Sequence, residues 1–275
     1  MVRSTAWDPS DPEDLPKNAL FPDIPDIYAH KASKPLHETE LNYLEKQLRA
    51  HEEIPADLCE DPKSIVYRYL LLSTRLNMGV NRSHGGIDGT ETFERLSPHI
   101  LTSYLGIDAT ESLVFGTAQR GTFGDKVNDL CRCIGEGGGY VDRNGRGAST
   151  NDGGLDTAAW KPFADRQPGK LILFAQCKTG TSWRTDATRL RPETFVDRWF
   201  IDPPLLRPIR AYCVAEAVPQ NEWNLRVQDA GLLFDRCRIV SLSSSVPESL
   251  LEEIHLWTEA ARKFVFSEAE KKDWL

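Results

Sequence analysis

The segment that decides the fold is KLILFAQCK, at residues 170–178. Its apolar side chains run without a break from Leu171 to Ala175, which is typical of a strand buried in a sheet. Side chains alternate along an extended chain, so the two polar residues near the end of the strand, Gln176 and Lys178, point to the same face. The segment predicts a central strand that carries polar chemistry at its carboxyl end.

A second polar segment, DGGLD at residues 152–156, precedes this strand. A hairpin between the two segments, turning near RQPG at residues 166–169, brings Asp156, Gln176 and Lys178 to one edge of the sheet. Each residue alone also fits a plainer role: a turn residue after two glycines, or a solvent-facing strand end. The combination, in this order, favours a hydrolytic site.

Phosphodiester hydrolysis uses residues of these types. Mg²⁺ prefers hard oxygen ligands, which the Asp156 carboxylate, the Gln176 amide and the Cys177 carbonyl can supply. Such a metal polarises a phosphate and lowers the pKa of a bound water. Lys178 would orient that water or offset the negative charge that builds on the phosphate.

The second half of the chain alternates helical and extended patterns, which predicts a mixed α/β domain. The spacing of apolar residues separates the two kinds of element. Besides the strand at 170–178, the predicted elements are a helix at 122–134, a glycine-rich loop at 135–154, helices or loops at 191–200 and 221–231, strands at 211–218 and 237–241, and a final helix at 246–265.

The first part of the chain predicts no catalytic chemistry. Dense Pro and Asp residues at the start favour an extended arm. Helices are predicted at 38–52, 62–76 and 91–104, with Pro98 in a first turn or at a break and Ser97 as a cap. The predicted regions are a Pro-rich arm (1–35), a mainly helical region (36–115) and an α/β domain (116–275).

The charge and composition of the chain disfavour several classes of protein. The net charge of -8 argues against a protein that binds DNA through a broad basic surface, and it favours weak nonspecific binding or a partner that delivers the substrate. The six cysteines and six histidines form no C-x-x-C or H-E-x-x-H pattern, which disfavours a zinc hydrolase. No long apolar run and no apolar core after Met1 to Asp8 occur, so we expect a cytoplasmic protein without a membrane partner.

The pattern of DGGLD (152–156) followed by AQCK (175–178) resembles the PD-(D/E)XK nuclease superfamily, and within it the Mrr-like restriction endonuclease branch, where Gln often replaces the acid. The resemblance covers roughly residues 122–241. It implies a restriction-endonuclease-like αβββαβ core and DNA cleavage that depends on Mg²⁺ or Mn²⁺. It also implies that Asp156 is a metal ligand, Gln176 a metal-site residue and Lys178 the catalytic lysine.

The sequence departs from this family at one position. Members often carry a Glu directly after the Phe of the first helix, and this Glu helps to bind the metal. In the helix predicted at 122–134, Phe123 is followed by Gly124, so Asp125 and Asp129 are the candidates to replace the Glu. Both also fit the role of ordinary solvated helix charges.

Two functions follow as hypotheses. The first is a metal-dependent endonuclease that hydrolyses DNA phosphodiesters, in restriction or antiphage defence by analogy with the family. It would act on DNA as a homo-oligomer or with an ATPase or another defence-complex subunit, and an RNA substrate fits the sequence equally well. The alternative is a catalytically inactive nuclease fold that serves as a scaffold or binding subunit. Arg184, Arg189 and Arg191 are candidates for phosphate contacts or plain surface charges.

Overall fold

The computed structural model describes residues 61–143, 145 and 154–272. The predicted arm at 1–35 and the helix predicted at 38–52 lie outside these residues. The helices are α1 (Pro62–Arg75), α2 (Gly89–Leu105), α3 (Phe123–Ile134), α4 (Trp183–Asp186), α5 (Pro192–Trp199), α6 (Trp223–Ala230), α7 (Arg236–Ser241) and α8 (Glu248–Lys272). The strands are β1 (Ser83–His84), β2 (Ile87–Asp88), β3 (Glu111–Val114), β4 (Thr157–Lys161), β5 (Leu171–Lys178), β6 (Ile209–Val214) and β7 (Leu232–Phe234).

The fold is α/β, as the sequence predicts, and its centre is a mixed sheet of five strands in the order β3-β4-β5-β6-β7. The first three strands form an antiparallel meander. β6 and β7 then add in parallel to β5. The parallel connection from β5 to β6 carries α4 and α5, as a crossover between parallel strands requires. β1 and β2 form a separate small hairpin.

β5 is buried on both faces from Ile172 to Cys177, which confirms the predicted central strand. On one face, Leu173, Ala175 and Cys177 belong to a core shared with helices α1, α2 and α8. On the other face, Ile172 and Phe174 belong to a core shared with α3 and α5. The sheet is therefore covered by helices on both sides.

The helices before the sheet are part of the same packing unit. α1, α2 and β3 all precede the boundary predicted at residue 115. β3 is nevertheless a strand of the sheet, hydrogen-bonded to β4. Val66 and Leu70 of α1, and Phe93 and Leu96 of α2, pack into the core beneath β5.

The strand predicted at 237–241 is wrong, because these residues lie in α7. The Asp235 side chain accepts a hydrogen bond from the Arg238 main-chain N–H, which caps the start of the helix. Cys237 is exposed while Ile239 is buried, consistent with a short helix that covers one face. The last strand is β7, which ends just before this cap.

The expectation for Pro98 is also wrong. α2 begins at Gly89, where the Asp88 side chain accepts from the N–H groups of Thr90 and Glu91, and it continues through Pro98 to Leu105. The proline removes one main-chain donor without ending the helix. Ser97 is not a cap, because its hydroxyl donates to the Phe93 carbonyl one turn earlier.

Within the described residues, no helix has the length and apolar character needed to cross a membrane. The final helix runs from Glu248 to Lys272, seven residues beyond its predicted end at 265, and the other predicted helices within the described residues agree with the structure to within two residues. α1 begins at Pro62 after an Asp61 cap, and α3 ends at Ile134, followed by Gly135 as its C-cap in the left-handed conformation with φ 73°. β6 begins two residues before the strand predicted at 211–218 and ends at Val214.

Gly89, the first residue of α2, contacts both α1 and α8, so a substitution there tests how these three helices pack. A Cβ atom on Gly89 would lie 2.6 Å from the Trp257 ring of α8, and the Gly89 carbonyl accepts from the buried Tyr69 hydroxyl of α1. We expect Gly89→Ala to lower the free energy of unfolding by about 1–3 kcal/mol, because overpacking forces the ring to move. Urea denaturation measures this change. Gly180→Ala is the control, since a Cβ there meets no heavy atom within 4 Å of the described structure, and equal stability of the two variants would contradict the prediction.

Candidate active site

Asp156 lies at the junction of three strands, directly before β4. Its main-chain N–H donates to the Ala175 carbonyl over 3.0 Å, and its carbonyl accepts from the N–H groups of Phe115 and Gly116. Its carboxylate accepts from the main-chain N–H of Cys177 over 2.7 Å. β4 and β5 form the predicted hairpin, and these four hydrogen bonds fix the carboxylate beside the end of β5.

Gln176 and Lys178 point to the face of the sheet that also carries Phe174, as their spacing predicts. The Gln176 side chain is buried, with 2 % of its surface exposed. Among the described residues, its Oε1 atom has no hydrogen-bond partner. Lys178 lies nearer the solvent, with its Nζ 3.5 Å from the Asp186 carboxylate at the end of α4. The candidate site therefore has a buried part, at the Gln176 amide, and a part open to solvent, at the Lys178 ammonium.

Gly154 allows the chain to pass close to the Gln176 amide. Its φ of 82° is in the left-handed region, where a side chain is strained. A Cβ there would lie 3.4 Å from Gln176 Nε2 and 3.4 Å from the Leu190 main-chain nitrogen. The lack of a side chain at Gly154 therefore allows both the left-handed backbone conformation and the close packing against the Gln176 amide.

Tyr212 is a site neighbour that sequence reasoning missed. On β6 it lies directly opposite Gln176, so both side chains share one face. The ring packs near Trp183 of α4, with the two ring centroids 6.0 Å apart. Burial, and then the carboxylates of Asp186 and Asp156, raise the pKa of the Tyr212 phenol. A tyrosine in a strand carries no such signal until the register between β5 and β6 is known.

Glu94, on α2, is a second residue that sequence reasoning missed. It is buried, and its carboxylate accepts from the Thr117 hydroxyl and from the Ala118 N–H, both over 2.9 Å. It packs against Gly116, where a Cβ would lie 2.6 Å from Glu94 Oε2. The Gly116 N–H in turn donates to the main-chain carbonyl of Asp156. The available signal was the Phe93-Glu94 pair inside the helix predicted at 91–104.

The predicted metal ligand Asp125 has a local role in α3. Its carboxylate accepts from the N–H and the hydroxyl of Thr122, forming a reciprocal cap at the helix start. Asp129 forms an exposed ion pair with Arg132 over 3.1 Å. None of these contacts of Asp125 and Asp129 involves Asp156. The neighbouring Lys126 does reach the site region, because its ammonium donates to the Gly116 carbonyl over 2.6 Å.

The main-chain N–H and the side chain of Cys177 lie in different environments. Its N–H is bound to Asp156, while its thiol lies in the opposite core, where burial and then the neighbouring Cys213 raise its pKa. A role for its carbonyl as a metal ligand stays a prediction.

Arg184 belongs to a structural ion pair. It is 14 % exposed, donates to the fully buried Glu216 carboxylate over 2.6 Å and lies 3.6 Å from Glu222. Arg189 and Arg191 are exposed, so their role as phosphate contacts stays a prediction.

Comparisons of the chain with protein-family models, curated proteins and solved structures found no match. Within the described residues, no group of three or more His, Cys, Asp or Glu side chains is arranged to hold a metal ion. Oxygen donors near the end of β5 include the carboxylate of Asp156, which accepts from the Cys177 N–H, and the amide of Gln176. Hard oxygen donors of this kind suit Mg²⁺ or Mn²⁺ better than softer metals.

The capping role of Asp125 predicts a pH dependence. Hydrogen bonds from the Thr122 side chain and main chain lower the pKa of Asp125. A carboxyl whose pKa is lowered in the folded state stabilises the fold at pH values above its unfolded pKa of about 3.9. This stabilisation is lost as the pH falls through the pKa of the folded state. We expect Asp125→Asn to lower the thermal midpoint at pH 7 and the difference to shrink toward about pH 3. Calorimetry with Asp108→Asn as the exposed control measures it, and a pH-independent difference would contradict the cap.

Proposed function

We propose that this protein is a metal-dependent endonuclease that hydrolyses DNA phosphodiesters. The observation that supports the proposal is that Gln176 and Lys178 share one face at the carboxyl end of β5, while the Asp156 carboxylate accepts from the N–H of Cys177 between them. The three residues that carry the resemblance to the PD-(D/E)XK pattern therefore lie at the same end of β5.

The donor set fits a hard divalent cation. A buried amide oxygen without a hydrogen bond is costly, and Gln176 Oε1 is such an atom among the described residues. A cation held by Asp156 and this oxygen removes that cost. Mg²⁺ or Mn²⁺ bound there would neutralise a phosphate oxygen and lower the pKa of a water bound beside it.

The chain's own residues supply the remaining chemistry. The Cys177 N–H holds the Asp156 carboxylate in place, so the ligand is fixed before the metal arrives. Lys178 donates to a phosphate oxygen and offsets the charge that develops as a water oxygen bonds to phosphorus and the bond to the leaving oxygen breaks. Asp186 keeps the Lys178 ammonium near the mouth of the site.

The order of elements supports the family resemblance. Helix α2, the antiparallel strands β3, β4 and β5, helix α5 and the parallel strand β6 follow the αβββαβ order, with α3 as an insertion after β3. On this alignment the first helix is α2 and not the helix at 122–134. We therefore propose that Glu94, directly after Phe93, is the helix acid of the site, in place of Asp125.

The substrate and setting follow from charge and resemblance. A net charge of -8 gives the chain little general attraction for DNA, which favours delivery by a partner. A defence role with an ATPase, or a homo-oligomer, rests on the family resemblance alone. The alternative, an inactive scaffold or binding subunit, is favoured by the lack of three converging His, Cys, Asp or Glu side chains among the described residues.

Plasmid cleavage tests the proposed function. In the presence of Mg²⁺ or Mn²⁺, we expect Asp156→Asn and Lys178→Ala each to reduce the rate by about 10²-fold or more, since each removes a ligand or a charge from the transition state. Asp165→Asn and Lys263→Ala, at exposed residues, are the matched controls. Cleavage by both site variants at the wild-type rate would exclude this site. A wild-type chain inactive on plasmid, single-stranded DNA and RNA would favour the scaffold.

A comparison of two acidic residues tests the assignment of Glu94. We expect Glu94→Gln to weaken Mn²⁺ binding, measured by titration calorimetry, by about tenfold or more, because a carboxylate near the metal is replaced by an amide. Asp125→Asn, which alters only the cap of α3, should bind Mn²⁺ as the wild type does. The opposite result, with Asp125→Asn impaired and Glu94→Gln unaffected, would restore the assignment to α3.

A further inference from the structure

Two neighbouring residues of the sheet each carry a buried polar atom that has no hydrogen-bond partner among the described residues. Gln176 on β5 and Tyr212 on β6 are in direct register, and their side chains share one face. Tyr212 is fully buried and Gln176 is 2 % exposed. Among the described residues, neither Gln176 Oε1 nor the Tyr212 hydroxyl has a hydrogen-bond partner. Such atoms are rare in native proteins, and two at one position point to a shared ligand.

The chemistry of the two atoms identifies the ligand that joins them. The Tyr212 hydroxyl donates and the Gln176 Oε1 atom accepts. An unprotonated phosphate oxygen has no hydrogen to donate to the amide oxygen. A water molecule does both, and buried waters in proteins commonly bridge otherwise unsatisfied polar groups.

The surroundings keep the phenol in its donating form. A phenol is protonated at neutral pH, and the burial of Tyr212 raises its pKa further. The phenol therefore stays protonated at neutral pH and presents a neutral donor among charged groups. It can hold a water without competing with Asp156 for a cation.

A donor on this side also decides which end of the Gln176 amide faces the site. The amide has an oxygen and an NH₂ group of nearly the same shape, and only its hydrogen bonds distinguish the two orientations. Its Nε2 atom lies on the Gly154 side, where a Cβ would come within 3.4 Å of it. A water that accepts from Tyr212 and donates to Oε1 favours the orientation in which the oxygen, and not the nitrogen, is available as a hard ligand.

We propose that Tyr212 is a positioning residue whose hydroxyl, through one ordered water, holds the Gln176 amide oxygen toward the metal. The metal half of this inference rests on the proposed nuclease function. The water half concerns the protein without metal and is testable independently.

A crystal structure of the metal-free full chain, at a resolution that defines waters, tests the bridge. We expect a water within about 2.6–3.2 Å of both Gln176 Oε1 and the Tyr212 hydroxyl. In Tyr212→Phe, which removes only the hydroxyl, this water should be displaced. A wild-type structure with no water between the two atoms, or with the water retained unchanged in Tyr212→Phe, overturns the bridge.

Mn²⁺ titration tests the positioning role. We expect Tyr212→Phe to weaken Mn²⁺ binding about tenfold, as is typical when a residue that orients a metal ligand is lost. DNA cleavage should lose kcat with KM unchanged, because the hydroxyl does not touch DNA. The thermal midpoint should remain within about 4 °C of wild type. Tyr104→Phe, an exposed tyrosine on α2, is the matched control.

The outcomes separate the two proposals. A wild-type chain that holds the water but neither binds Mn²⁺ nor cleaves DNA overturns the nuclease function and the positioning role, and leaves the bridge. A wild-type chain that binds Mn²⁺, with Tyr212→Phe binding it equally well, overturns the role of Tyr212 alone.

Discussion

Strand β5 is confined between two apolar cores, and its register is fixed on one side by β4 and on the other by β6. A slip of one residue would turn every side chain of β5 to the opposite face. Gln176 would then enter the core under α2, and Cys177 would replace it beside Asp156. The geometry of the site is therefore a consequence of how apolar residues are ordered along this strand, more than of any polar contact.

The sequence was sufficient for the features that depend on local order. The burial of β5, the shared face of Gln176 and Lys178, and the hairpin with Asp156 all follow from strand alternation and a short turn. Ile239 and Val240 were misread as part of a strand, because periodicity cannot separate a short apolar helix from a strand. The Asp235 cap decides that case, and its effect is visible only in the folded chain.

The residues that sequence reasoning missed are those that depend on long-range geometry. Glu94 lies on α2, more than sixty residues before Asp156, and nothing local distinguishes it from other acids on α2. Tyr212 acquires its importance only from its register with Gln176. The spacing from Phe123 predicts Asp125 as the helix acid. In the structure the first strand of the sheet, β3, precedes α3, so α2 is the helix that precedes the meander.

Cys177 stands between two site residues, yet its thiol packs with the helices on the far side of the sheet. Adjacent residues of β5 thus pack against helices on opposite faces of the sheet. Substitutions in α8 or α1 that alter the packing beneath Cys177 would be transmitted through a single peptide plane to Gln176 and Lys178. Sequence change in α1 and α8 is therefore constrained by polar residues on the other face of the sheet, so substitutions there should be accepted more slowly than this separation suggests.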